Sequence, residues 1–328
     1  MKRFSAAPAF LLLLANLGMA AEPSRAVEAI LTLPYETVLP GVPFDMTVTL
    51  KNLSSSPVTV GVEARLVVTM PDGTNVSRKL WEGLLQPFPL PMDRNWVELA
   101  PGETRVCYAD WYRYPRNELH DPDFSGPGVY GLTLHLATAQ QPDNYVGEVV
   151  TTTARLTRAV PPGGEDEALW EQMNAAMGGR WASDSLSNSK EGPAILRDIL
   201  QVHSGSAYYP YALLLERQLD MRRIVTKDDI ALALAAAERF PSSPAHSYLL
   251  VRAGEVASTL AAYALLLDKD EKTFFQYFTL AAQYFDKASK VTKVPAVRGV
   301  AEWGKRYAQT EMEHQRQRAA GTYGKINQ

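Results

Sequence analysis

The chain has 328 residues, a formal net charge of −3 and a single cysteine. A near-balanced charge with no basic stripe argues against a general nucleic-acid binder, and one thiol excludes an internal disulfide framework. Apolar residues make up 46% of the chain, enough to bury the cores of about two domains without covalent help.

The first twenty residues read as a secretory signal. Lys2 and Arg3 supply the positive start, Ala9 to Ala15 the apolar middle, and Gly18-Met19-Ala20 the small residues of a cleavage site. The apolar run is shorter than the ~20 residues a spanning helix needs. No other segment is long enough either, and the longest late run, Leu260 to Leu267, suits a buried helix. The expectation is an exported protein beginning near Ala21, periplasmic or extracellular, with no transmembrane segment after signal removal.

From residue 21 to 158 the hydrophobic period is two, which predicts half-buried strands. Val27–Leu33 opens the series, and Phe44, Met46, Val48 and Leu50 alternate with Asp45, Thr47, Thr49 and Lys51. A long run from Val58 to Met70 keeps parity as far as Pro71-Asp72-Gly73-Thr74, a tetrad with turn chemistry. Gly61 inside that run marks a bulge or bend. Val106–Trp111, the face Tyr130, Leu132, Leu134 and Leu136, and Val146–Leu156 complete the set. Short strands at this spacing, with no helical segment between them, predict an antiparallel β-sandwich. Cys107, within a strand, is expected to be a small buried hydrophobe.

Three pieces resemble bacterial immunoglobulin-like domains: Gly41 with Phe44 to Asn52, Leu99 to Glu103, and Gly126-Pro127-Gly128-Val129-Tyr130. The resemblance implies an Ig-like fold over roughly residues 25–158. It also implies that Tyr130 pins a crossover to the backbone. It implies little about activity, because sandwiches host unrelated functions.

Residues 159–164 read as a linker, made partly stiff by Pro161 and Pro162. Beyond it the period becomes 3.6, and Phe274, Phe278, Ala281 and Phe285 share one helical face. Residues 165–318 are predicted to be all α, with 319–328 a flexible tail. Two breaks about 38 residues apart, His203-Ser204-Gly205-Ser206 and Pro241-Ser242-Ser243-Pro244, each precede a tyrosine- and leucine-rich helix. The pattern resembles degenerate tetratricopeptide-type helical hairpins, without that family's tryptophan and glycine spacing. The predicted fold is multidomain α+β, an Ig-like sandwich followed by a TPR-like helical-hairpin array.

No constellation amounts to a catalytic or metal signature. Gly126-Pro127-Gly128-Val129-Tyr130-Gly131 has dinucleotide-loop spacing but enters a strand instead of a helix. Ser187-Asn188-Ser189-Lys190 lacks the partner motifs of a serine–lysine enzyme. The five histidines are scattered singly, and His120-Asp121-Pro122-Asp123 offers too few oxygens for calcium. No cofactor or metal is expected.

Two aromatic clusters carry the composition of contact surfaces: Trp111, Tyr112, Arg113, Tyr114 and Arg116 in one loop, and Tyr208, Tyr209 and Tyr211 in one helical turn. The functional expectation is a non-enzymatic protein-binding or scaffolding module of the cell envelope, with a protein or peptide partner. The alternatives are a peptidase-inhibitor-like sandwich that inserts its Trp111–Phe124 loop, and an enzyme using His120 and Asp121.

Overall fold

A computed structural model describes residues 26–80, 95–109, 126–140, 142–159, 163–177, 190–219 and 224–321. The segment expected to be a signal, the Trp111–Phe124 loop with His120 and Asp121, and Ser187–Ser189 lie outside the described residues. The fold is mixed α+β: sheets come first, and seven helices follow among the described residues.

Three strands, β1 (Val27–Thr32), β3 (Met46–Asn52) and β8 (Thr104–Ala109), form an antiparallel sheet in the order β1-β3-β8. A larger sheet runs β2 (Thr37–Val38), β11 (Ala154–Arg158), β9 (Gly128–Ala137), β5 (Glu63–Thr69), β6 (Asn75–Lys79), with β10 (Val149–Val150) also on β9. A third pair joins β4 (Val58–Gly61) to β7 (Trp96–Leu99). Alternation sets which face is inward. Val27, Ala29 and Leu31 of β1 are buried, as are Tyr130, Leu132, Leu134 and Leu136 of β9. Leu66 and Val68 of β5 stand opposite Leu134 and Leu132. Burying such a side chain is worth roughly 1.5–3 kcal/mol. The Tyr130 hydroxyl donates to the Gly126 carbonyl at 2.8 Å, the backbone pin expected of it.

Three details differ from the strand reading. The Val58–Met70 run is two strands in two sheets, and the chain changes sheet just after Gly61. A Cβ at Gly61 would lie 2.1 Å from the Ala137 carbonyl carbon, so only glycine permits that approach. Val146–Leu156 also divides: Thr151 still bonds Leu134 of β9, but the Thr152 N–H donates to the Ala29 carbonyl and its hydroxyl accepts from the Leu31 N–H of β1, which interrupts the pairing with β9 before β11. Finally, β2 pairs with β11 in parallel, so the sheets are not wholly antiparallel.

The helices are α1 (Glu165–Met177), α2 (Gly192–Gln201), α3 (Tyr209–Leu219), α4 (Lys227–Arg239), α5 (His246–Leu266), α6 (Glu271–Val291) and α7 (Pro295–Ala319). Their starts follow local chemistry. The Thr226 N–H donates to Asp229 Oδ2 at 2.7 Å before α4, and Asp270 accepts from the Thr273 N–H at 3.0 Å at the head of α6. Pro295, which has no N–H to lose, begins α7. Phe274, Phe278, Ala281, Phe285 and Ala288 form the buried stripe of α6. By length and composition α5 is long and apolar enough to cross a membrane, yet it packs against α4, α6 and α7, with half its most apolar window buried.

The two turns before α3 and α5 are built alike, at an offset of 37 residues. Ser206 N–H donates to the His203 carbonyl and Ser243 N–H to that of Phe240, at 3.0 and 3.1 Å. Ser206 Oγ accepts from the Tyr208 N–H, as Ser243 Oγ does from the Ala245 N–H. Tyr211 and Tyr248 thereby occupy equivalent places one turn into their helices.

Candidate functional site

The sheets and helices meet across a buried polar junction. Arg158 ends β11 and is 3% exposed. Its Nη1 donates to the carbonyls of Leu39 at 3.1 Å and Val42 at 2.9 Å, and the guanidinium carbon lies 5.5 Å from the centroid of the Phe44 ring. Burial lowers its pKa to about 10, which leaves it charged at neutral pH. Asp45, immediately before β3, is 5% exposed and accepts a hydrogen bond from the Tyr248 hydroxyl of α5. The Tyr208 hydroxyl donates to the Pro40 carbonyl at 3.2 Å.

Burial raises the pKa values of Tyr208 and Tyr211. It does the same for Tyr35, where the Asp45 charge adds to the effect. Each hydroxyl therefore keeps its proton and remains a donor. Buried charges are costly unless several hydrogen bonds surround them. Carbonyls and tyrosine hydroxyls from both halves of the chain provide that surround here.

A second cluster steadies the turn before α3. Ser206 Oγ donates to Asp166 Oδ1 at 2.6 Å, and the Ala207 N–H to the same oxygen at 3.0 Å. The His203 ring lies between two carboxylates, with Nδ1 2.5 Å from Glu165 and Nε2 3.2 Å from Asp198. The bond to Glu165, foremost, raises the His203 pKa.

Beside the junction lies a cleft of about 590 Å³. One wall is Thr37-Val38-Leu39 with Ala159 from the sheet, and the other is the second repeat turn, Phe240 to Pro244. Tyr211 and Ala207 also line it, and Arg239 adds a cation. That Arg239 carbon lies 5.8 Å from the Phe240 ring centroid, and its Nη1 is 3.4 Å from Ser204 Oγ. Arg239 has no carboxylate within ion-pair distance among the described residues. The volume falls in the ~300–1,000 Å³ range of ligand sites. The lining offers apolar surface, hydroxyls and one cation, a set suited to holding a ligand.

Of the residues expected on a binding surface, Trp111, Tyr112, Arg113, Tyr114 and Arg116 lie outside the described residues. Tyr208 and Tyr211 are buried, Tyr208 bonding the Pro40 carbonyl and Tyr211 lining the cleft. Tyr209 is half-buried and stacks on Phe240, ring centroids 6.4 Å apart. His135 sits beside Glu148 and Arg65 on the sheet, and His246 bonds the Ala237 carbonyl. No group of three metal-ligating side chains occurs among the described residues. Sequence reading missed Asp45, Arg158, Thr37 and Arg239. Nothing in periodicity marks them, because their partners are far away along the chain.

No protein-family model matches this chain, and no curated protein matches it. Among solved structures it has partial likenesses. Structural-genomics target SoR45 is 11% identical, with 43% of this chain and 96% of that one covered and a TM-score of 0.25. A CARDB domain from Pyrococcus furiosus, in complex with di-metal ions, is 15% identical over 40% of this chain and 87% of that one, TM-score 0.21. β-Glucuronidase 2 from Bacteroides uniformis, covalently bound to cyclophellitol-6-carboxylate aziridine, is 11% identical over 75% of this chain and 32% of that one, TM-score 0.18. Likeness at these scores carries no argument about fold or chemistry.

Proposed function

We propose that this protein is a non-enzymatic binding or scaffolding module exported to the cell envelope. In this reading the sheets are an Ig-like sandwich, the helices a short TPR-like array, and the cleft between them holds a segment of a partner protein. One observation carries the reading: each half of the chain supplies one wall of the cleft, and a buried network of charges and hydroxyls fixes the walls together. A site assembled this way keeps its shape before the partner arrives, which lowers the entropic cost of binding. The matched turns of the helical half support the TPR-like part, and the Tyr130 pin supports the Ig-like part.

The test is retention of envelope proteins by the full-length chain, compared with Ser242→Trp. Ser242 is exposed and lines the cleft, so the indole fills it without disturbing the core. The expected result is a partner held by the natural chain and lost by the variant. Equal retention by both would remove the cleft from the reading, and no retention by either would remove the reading itself.

A further inference from the structure

The sheet wall of the cleft is the outer edge of β2. Thr157 N–H donates to the Glu36 carbonyl at 2.7 Å and Ala159 N–H to that of Val38 at 3.1 Å. Residues 36 and 38 therefore turn their backbone groups toward β11. In a strand, alternate residues turn theirs to opposite sides, so the N–H and C=O of Thr37 point outward. No described group meets them, and Thr37 lines the cleft. Free strand edges are usually blunted or covered because they pair readily with another chain. This edge is kept short by Pro34 and Pro40, which limit any added ladder to a few residues.

The surroundings of that edge have a chemistry of their own. Leu39, Phe240, Pro241 and Pro244 give an apolar wall, and Arg239 stands on it. Two residues before Thr37, the Lys293 ammonium lies 5.7 Å from the centroid of the Tyr35 ring. Glu36, immediately before β2, is the acidic neighbour, and alternation puts its side chain on the face opposite Thr37.

We propose that β2 accepts a short extended peptide as an additional strand, and that this peptide carries apolar residues interleaved with acidic ones. The inference rests on the binding-module reading and names its ligand class. The backbone of Thr37 supplies sequence-independent ladder bonds, while the apolar wall and the cations at Arg239 and Lys293 choose the side chains.

The experiment uses the full chain and three labelled, end-blocked pentapeptides followed by fluorescence polarisation. One alternates glutamate and valine, one has lysine for each glutamate, and one is the glutamate peptide N-methylated at its central residue. The glutamate peptide is expected to bind and the lysine peptide to bind at least ~10-fold more weakly, since like charges replace opposite ones. N-methylation should weaken binding roughly three- to tenfold, the worth of one ladder bond. Arg239→Ala, an exposed position, should cost the glutamate peptide about fivefold while leaving the circular dichroism unchanged.

Equal affinity for the glutamate and lysine peptides, indifference to N-methylation, or no binding of any peptide would each overturn the proposal. Retention of an envelope partner that Ser242→Trp abolishes would still stand in those cases, so failure of the ligand class is distinguishable from failure of the binding reading.

Discussion

The Tyr248 hydroxyl donates a hydrogen bond to the Asp45 carboxylate across 203 residues of chain, joining the long apolar helix α5 to the entry of strand β3. Both groups are buried. In the equivalent repeat position, Tyr211 is buried beside the same carboxylate, whose charge helps to raise its pKa. The same repeat position is thus used in two ways: Tyr248 bonds the Asp45 carboxylate, and Tyr211 is buried close enough to feel its charge.

Replacing Tyr248 by phenylalanine removes one donor from a buried carboxylate and should destabilise the protein by roughly 1–3 kcal/mol. With Asp45→Asn in the same chain the loss should be smaller than the sum of the single losses, because the two residues act on each other. Urea unfolding of the four proteins measures the coupling, and strict additivity would show that the bond contributes nothing.

Arg158 stands at the same junction, holding residues 39–42 of the sheet half in place through two carbonyls. Changing it to methionine keeps most of the stem but leaves the Leu39 and Val42 carbonyls without its two hydrogen bonds, at a cost of roughly 2–5 kcal/mol. The natural chain should unfold in one transition, since its halves share this junction. Calorimetry of Arg158→Met should show a transition at lower temperature, and an unchanged midpoint would show that the two carbonyls lose nothing with the guanidinium.

These residues show what the sequence makes legible and what it hides. The α6 stripe of Phe274, Phe278, Ala281 and Phe285 is buried as its spacing predicts, because a helix face depends on near neighbours in sequence. Asp45 reads as a solvent-facing position of an alternating strand, yet Asp45, Met46 and Thr47 are all buried in succession. Alternation says that two faces exist. It does not say that a helix some 200 residues later covers the second one. The same limit hid the cleft, whose walls come from Thr37–Leu39 and Phe240–Pro244. The two break motifs were visible as a repeat, and hydrogen bonding sets their offset at 37 residues.

The His203 cluster predicts a pH dependence with a definite sign. Its pKa is raised above the ordinary 6.5 by the bond to Glu165, with Asp198 adding to the effect. The folded state therefore binds the proton more tightly than the unfolded one. The stabilisation is fully present below pH 6.5 and is lost as pH rises through the higher folded value. Melting temperatures of the natural chain and His203→Gln should differ most in mild acid and converge above neutrality. A gap that stays constant with pH would show that the ring acts only by packing.

Cys107 should behave as a core residue and not as a reactive thiol. It is fully buried on β8, and burial pushes its pKa up to about 12, so almost no thiolate forms at neutral pH. A thiol reagent should leave the native chain unmodified for hours and label it once per chain in denaturant. Rapid labelling of the folded protein would show that β8 opens on that timescale.

The packing around Phe285 gives the sharpest test of the helical half. Its ring on α6 sits between two glycines on neighbouring helices, Gly254 of α5 and Gly304 of α7. A Cβ added at either would lie 2.8 or 2.7 Å from the ring. Real Cβ atoms do not approach that closely, so each alanine must push the ring or spread the helices. Gly→Ala in a helix ordinarily gains about 0.5–1 kcal/mol from backbone entropy. Here the overpacking cost of about 1–3 kcal/mol should outweigh it. Gly254→Ala and Gly304→Ala should each lower the melting temperature, and together lower it further. Phe285→Leu, destabilising in the natural chain through lost packing, should become close to neutral when combined with either alanine, because the smaller side chain leaves room for the methyl group. If the alanine variants melt higher than the natural chain, the helices are spaced more widely than this arrangement allows, and the three-helix packing of α5, α6 and α7 is wrong at its centre.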